Sequence, residues 1–167
     1  MSKQSSKTSL DENQELDSSK THLRLWLRML QATRGVENQL RENFRAEFES
    51  TLPRFDVMAA LYRYPKGLKM SKLSGVLKVS NGNVTGIVDR LVSDGFIIRS
   101  SVPGDRRALL VRLTKRGVEE FAKQAESHQQ WINDLLSVVE LDEAESVMST
   151  LEKILPVVAN KDDQKDK

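Results

Sequence analysis

The sequence predicts a mainly α-helical chain with one small β-hairpin, arranged as a helix-turn-helix followed by a wing. Three observations lead there. Apolar residues recur with a helical period from Thr21 onward. Two short helical segments meet at a tight turn over Lys78–Ser80. Two β-rich runs flank Pro103-Gly104-Asp105, a turn sequence.

Taken in order, residues 1–20 are Ser, Gln, Lys and Asp with scarcely an apolar side chain, which predicts a flexible tail rather than a signal peptide. Leu23, Trp26, Leu27 and Leu30 then recur at helical spacing, and Val36, Leu40, Phe44 and Phe48 resume the pattern beyond Gly35, where a bend is expected. Thr51-Leu52-Pro53 opens a second helix with proline in its first turn. Phe55, Met58, Ala59 and Tyr62 are expected on its inner face, and Pro65 with Gly67 closes it. A short helix over about Met70–Leu77 should bury Leu73, Val76 and Leu77. The next opens at Ser80, a good N-cap, buries Val84, Ile87, Val88 and Leu91, and stops near Asp94-Gly95. Phe96–Arg99 and Ala108–Leu113 form the hairpin. Thr114 caps a long amphipathic helix through Val118, Phe121, Ala125, Ile132, Leu135 and Val139. A last helix starts at Asp142 with Glu145 in capping-box register, and Pro156 bends or ends it. Residues 161–167 read as a second flexible tail.

Charge is unevenly spread. Thr51–Gly117 holds 13 Lys/Arg against 4 Asp/Glu, a net of +9, while the remainder holds 13 against 20, a net of −7. A basic excess confined to one segment is the footprint of a surface that meets a phosphate backbone. Other classes drop out. The chain has no cysteine, which excludes disulfides, cysteine-ligated metals and thiol redox sensing and is compatible with a reducing cytoplasm. No apolar run approaches the roughly 20 residues that span a bilayer. His22 and His128 lie far apart, and no nucleophile motif, phosphate loop or dinucleotide fingerprint occurs. An enzyme, a metal and a cofactor are therefore not expected.

The helix from Ser80 to Ser93 turns its apolar stripe inward and leaves Asn81, Asn83, Thr85, Asp89 and Arg90 outside. Asn pairs bidentately with adenine in a major groove, and Ser or Thr serves base or phosphate. Gly82 and Gly86 each cost about 1 kcal/mol relative to Ala inside a helix, a cost that close approach to DNA would explain. In the wing, Asp105 and Arg107 stand two apart on a turn, so the carboxylate can hold the guanidinium extended toward a narrow minor groove. Arg106 lies between them, and Arg99, Arg112, Lys115 and Arg116 are placed to touch phosphates. The DNA-contacting set is thus Ser80, Asn81, Asn83, Thr85, Arg90, Asp105, Arg106 and Arg107. Trp26, Trp131, Ile132 and the Val147–Leu155 stripe supply more apolar surface than a small winged helix needs, for a dimer interface or a larger monomer core.

Over about Thr21–Val158 the chain resembles the MarR family of bacterial winged-helix regulators. The resemblance is carried by Asn83-Val84-Thr85-Gly86-Ile87-Val88-Asp89-Arg90-Leu91, by Asp105-Arg106-Arg107 and by Leu113-Thr114-Lys115-Arg116-Gly117. Many members have a basic residue where this chain has Gly86. The family implies an obligate homodimer whose N- and C-terminal helices interlock and whose two wings reach one pseudo-palindromic operator in double-stranded DNA. It divides the chain into a tail (1–20), a dimerisation and pocket helix (21–50), the winged helix-turn-helix (51–114), dimerisation helices (115–160) and a second tail (161–167). His22-Leu23-Arg24-Leu25-Trp26-Leu27-Arg28, Leu52-Pro53-Arg54-Phe55-Asp56 and the run Val79–Gly86 look like the branch that represses hydroxycinnamate catabolism. That branch implies a small aromatic effector, a hydroxycinnamic acid or its coenzyme A thioester. Trp26, Phe55, Met58 or Tyr62 would meet its ring, and Arg24, Arg28 or Arg54 its anionic end. An unrelated phenolic or drug-like ligand and a winged-helix protein-interaction module remain as alternatives.

Overall fold

The computed structural model describes the backbone of residues 5–102 and 105–162, and the side chains of residues 18–80, 82–101 and 109–156. Its elements run α1 (Ser5–Phe48), α2 (Leu52–Tyr62), β1 (Leu68–Lys69), α3 (Met70–Leu77), α4 (Asn81–Ser93), β2 (Ile97–Val102), β3 (Asp105–Leu113), α5 (Lys115–Leu136) and α6 (Leu141–Asp162). The chain divides into two units, Met1–His128 and Gln129–Lys167.

In the first unit, α1 starts at Ser5 rather than Thr21 and runs unbroken through Gly35. The apolar period marks where a helix has something to bury, not where it begins. From Ser5 to Arg34 there is neither Pro nor Gly to stop it. Among the described residues of α1, Leu40 and Phe44 are buried, whereas Leu23, Leu25, Trp26 and Leu27 are each about half exposed. Thr51 is the extended N-cap of α2, with Pro53 in the first turn. The buried face of α2 is Phe55, Val57, Met58, Ala60 and Leu61; Ala59 is half-buried and Tyr62 exposed, so the inner face is rotated from the one expected.

Phe44, Phe55, Phe121 and His128 fasten α1, α2 and α5 together. Phe55 lies 4.9 Å from Phe44, 5.5 Å from Phe121 and 4.7 Å from His128, ring centre to ring centre. Tyr62 packs its ring 4.8 Å from Phe121. Burial in this cluster holds His128 below its ordinary value of 6.5.

The sheet is three-stranded and antiparallel in the order β1-β3-β2. The sequence reading has no counterpart of β1, which at two residues is too short for an alternating pattern. It pairs Leu68 with Val111 and Lys69 with Leu110. Gly67 leads into it at φ +91, where a Cβ would stand 2.9 Å from the Val111 carbonyl oxygen. In the wing, Ile97 pairs with Leu113 and Arg99 with Val111, so these four share one face; Ile97, Val111 and Leu113 are buried there, Arg99 is exposed farther along the strand, and Arg112 is exposed on the opposite face.

In the second unit, the capping box sits two residues earlier than expected. The Glu140 N–H donates to a Glu143 carboxylate oxygen (3.2 Å), so α6 begins at Leu141. Pro156 lies inside α6, which continues to Asp162. Val138, Leu141, Val147, Met148 and Leu155 are more than half exposed.

Candidate nucleic-acid interface

The helix-turn-helix is α3, a turn over Lys78–Ser80, and α4. The Lys78 N–H donates to the Gly75 carbonyl and the Val79 N–H to the Ser74 carbonyl, each at 3.3 Å, which closes α3 with a Schellman motif. Lys78 takes the left-handed conformation (φ 52) that this motif needs. Leu73 and Ser74 of α3 are buried, Leu77 is half-buried, and Val76 is exposed rather than part of the core. Ser80 is the N-cap of α4 as expected, but its hydroxyl makes no capping hydrogen bond.

Val84, Val88 and Leu91 are fully buried and Ile87 half-buried, so α4 is seated by one stripe. Asn83, Thr85, Asp89 and Arg90 are exposed on its other side. A Cβ at Gly82 or Gly86 would meet nothing within 4 Å, so no packing inside the chain demands either glycine. A second Schellman motif ends α4: the Phe96 N–H donates to the Leu91 carbonyl (2.9 Å) and the Gly95 N–H to the Val92 carbonyl (3.0 Å), with Gly95 at φ +77.

Two ion pairs tie α4 to its neighbours. Asp89 accepts from Arg99 of β2 at 2.5 Å. Asp94, the residue just past α4, accepts from Arg54 of α2. Arg99, expected to touch phosphate, also pairs with Asp89. Thr114 joins the wing's base to this corner. Its hydroxyl donates to the Gly95 carbonyl (2.8 Å) and accepts from the Gly117 N–H (2.9 Å), while its own N–H donates to the Phe96 carbonyl (2.9 Å). Gly117 presses against that same carbonyl, where a Cβ would come within 2.0 Å of the oxygen. Arg116 lies 5.0 Å over the Phe96 ring. Arg112 and Lys115 are exposed. The side chains of Asn81, Asp105, Arg106 and Arg107 lie outside the described residues.

Of the residues expected at an effector, Phe55 and Tyr62 meet through the ring of Phe121. Arg24, Trp26 and Arg28 are exposed on α1, and Arg28 reaches only Gln31 at 3.4 Å. Phe55 and Met58 belong to the core, and Arg54 is held by Asp94. Tyr62 borders a cleft of about 430 Å³ with Leu61, Pro65, Leu113 and Val118. A second cleft, of about 350 Å³, opens between α2 and α4 and is lined by Pro53, Asp56, Val57, Leu77, Val79, Asn83 and Ile87. Asp56 keeps contact with solvent at its rim, yet burial and then the Glu37 carboxylate raise its carboxyl above 3.8, against an opposing pull from Arg41. Arg41 is itself paired with Glu37 at 2.7 Å. Asp56 was not among the expected site residues; the available signal was a lone charge inside the apolar run Phe55–Leu61. Among the described residues no His, Asp and Glu cluster suits a metal ion, and no helix is long and apolar enough to cross a membrane.

Residues 50–109 match the model of the MarR family. The solved structure of a MarR family transcriptional regulator from Silicibacter pomeroyi is 35% identical, covers 85% of this chain and 98% of its own, and superposes with a TM-score of 0.74. The chain belongs to the MarR family. Another relative, the uncharacterised HTH-type transcriptional regulator YkoM of Bacillus subtilis, is 30% identical over 118 residues, covering 70% of this chain and 74% of YkoM. A mutant MarR from E. coli, solved in complex with operator DNA, is 26% identical with a TM-score of 0.72 over 81% of this chain and 96% of that one. This MarR-family chain is thus a mainly helical winged-helix protein of a family of transcriptional regulators.

Proposed function

We propose that this MarR-family chain is a cytoplasmic, dimeric, sequence-specific repressor that leaves its operator when a small aromatic effector binds. The observation that carries the DNA-binding part is the exposed side of α4. Asn83, Thr85 and Arg90 stand there beside two glycines that nothing in the chain requires. Each glycine costs about 1 kcal/mol of helix stability, and a major groove accepting the backbone closely gives that cost a use. The E. coli relative solved with operator DNA supports the same reading. In it, Ser80, Asn81, Asn83 and Thr85 serve α4's contacts with bases and the nearest phosphates. Arg107 enters the minor groove, and Arg106 with Arg90 meets the backbone.

Exposed apolar residues support the dimer: Leu23, Leu25, Trp26 and Leu27 in the first unit, and Val138, Leu141, Val147, Met148 and Leu155 in the second. A monomer rarely leaves so much apolar surface in water. The effector is a hydroxycinnamic acid or its coenzyme A thioester, and the genes controlled serve aromatic-acid catabolism. The motif segments around Trp26, Pro53 and Asn83 support that assignment. Arg24 and Arg28, exposed on α1, remain suited to its anionic end.

Asn83→Ala tests the reading helix. Its operator affinity should fall by roughly 1–3 kcal/mol more than its affinity for random DNA. Equal losses on both DNAs would reduce Asn83 to a phosphate contact and remove the basis for sequence choice.

A further inference from the structure

We propose that Arg54 and Asp94 form a tether that fixes the tilt of α4 in the major groove, which makes them positioning residues for operator recognition. The inference rests on the reading-helix part of the function proposed above and adds what aims that helix.

The charges themselves carry it, because each stands at the wrong end of its helix. Arg54 lies in the first turn of α2, whose N-cap Thr51 makes no side-chain capping bond and whose first turn holds no acidic residue. A cation there is repelled by the positive end of the helix dipole. Asp94 is the C-cap of α4, where an anion is repelled by the negative end. The Arg54 Nε is buried and has no hydrogen-bond partner among the described residues, a further cost. An Arg54 Nη donates to an Asp94 carboxylate oxygen across 40 positions of chain, and this contact offsets costs that neutral side chains would not incur. A pair so placed adds little to stability. What it supplies is a directional constraint on the end of α4.

The rest of the packing lacks that constraint. Val84, Val88 and Leu91 seat α4 by an apolar stripe, which sets the rotation of the helix about its axis but is not directional. Asp89 ties the middle of α4 to Arg99 of β2 at 2.5 Å. Asp94 ties its end to α2, where the neighbouring Phe55 packs its ring on Phe44 of α1 and on Phe121 and His128 of α5. The tilt of the reading helix is thereby referred to the ring cluster that joins α1, α2 and α5. Hydrogen bonds to base edges tolerate a displacement of only about half an ångström. A helix freed at one end loses them, while long side chains on phosphate adapt.

Fluorescence anisotropy of the full-length protein tests it, comparing the DNA flanking its own gene with a scrambled duplex for Arg54→Gln, Asp94→Asn and the double variant. Both single substitutions should lower the ratio of operator to scrambled affinity about tenfold, the size of one bidentate base contact. They change net charge in opposite directions, so attraction to DNA as a polyanion would weaken with the first and strengthen with the second. A loss of ratio common to both is therefore not electrostatic. The double variant should lose no more than either single one, because one tether is removed only once. Melting temperatures should move by no more than a few degrees. Unchanged ratios, losses that multiply in the double variant, or a ratio that follows net charge would overturn the tether and leave the reading helix in place. An unaltered protein that binds both duplexes equally would overturn the reading of α4 itself, and the tether with it.

Discussion

Asp56 combines the structure's raised carboxyl with a position at the rim of a cleft, and its titration can be followed directly. The folded carboxyl titrates above 3.8 because of burial first and Glu37 second. The folded state therefore holds a proton that the unfolded chain has released, and stability falls as pH rises through the window from 3.8 to the raised value. Above that window the penalty is constant, and below it there is none. Asp56→Asn should accordingly raise the melting temperature at neutral pH, with a gain that shrinks on acidification and vanishes below 3.8. A gain independent of pH would mean that the charge is not its cause. Gly117 makes a steric prediction. A methyl group there collides with the Phe96 carbonyl, so Gly117→Ala should cost about 1–3 kcal/mol or more, read as a lower denaturation midpoint. In the sequence Gly117 was visible only as part of a motif. The reason for it lies in a carbonyl far away along the chain, which no local pattern encodes. The same holds for Asp89 with Arg99 and Arg54 with Asp94, whose partners meet only after folding.

Elements with a buried face were legible, because burial imposes a period. The stripe Val84, Ile87, Val88 and Leu91 predicted both the extent of α4 and the side that looks outward. Where burial is slight the pattern fails. The first part of α1 has no apolar stripe and is nonetheless helical, β1 is too short to alternate, and the α6 cap is set by a backbone-to-carboxylate bond at Glu140 and Glu143 rather than by Asp142. Half-buried faces mislead in a subtler way: Tyr62 and Val76 fit a helical period but remain exposed. Aromatic spacing likewise does not distinguish a ring such as Phe55, which is buried in the core, from a ring at a ligand. At this scale α4 supplies a two-sided prediction. Gly86→Ala should stabilise the protein by up to about 1 kcal/mol, because a methyl group there meets nothing within the chain. It should also weaken operator binding if the helix backbone lies against DNA. A stabilised variant with unchanged operator affinity would place Gly86 away from the contact.

At the scale of the whole molecule the net charge of +2 conceals a segment of +9 balanced by a remainder of −7. That separation suits a protein whose winged helix meets a polyanion while the remainder meets another copy of itself. In the proposed dimer, the arrangement of two reading helices over successive major grooves, about 34 Å apart, would be a property of the pair, so no pattern along one chain specifies it. Induction in this account is a shift between dimer states of different operator affinity, and an effector acts only so far as it prefers one of them. The most direct test is fluorescence anisotropy of the full-length protein on the DNA flanking its own gene and on a scrambled duplex, across a salt series and then with effector. For a sequence-specific repressor of this kind, the flanking DNA should bind about a thousandfold more tightly than the scramble, log K should fall steeply and linearly with log salt, and a hydroxycinnamate or its thioester should release the complex. Equal affinity for both duplexes, or binding indifferent to salt, would contradict a sequence-specific repressor and favour a winged helix that serves another partner.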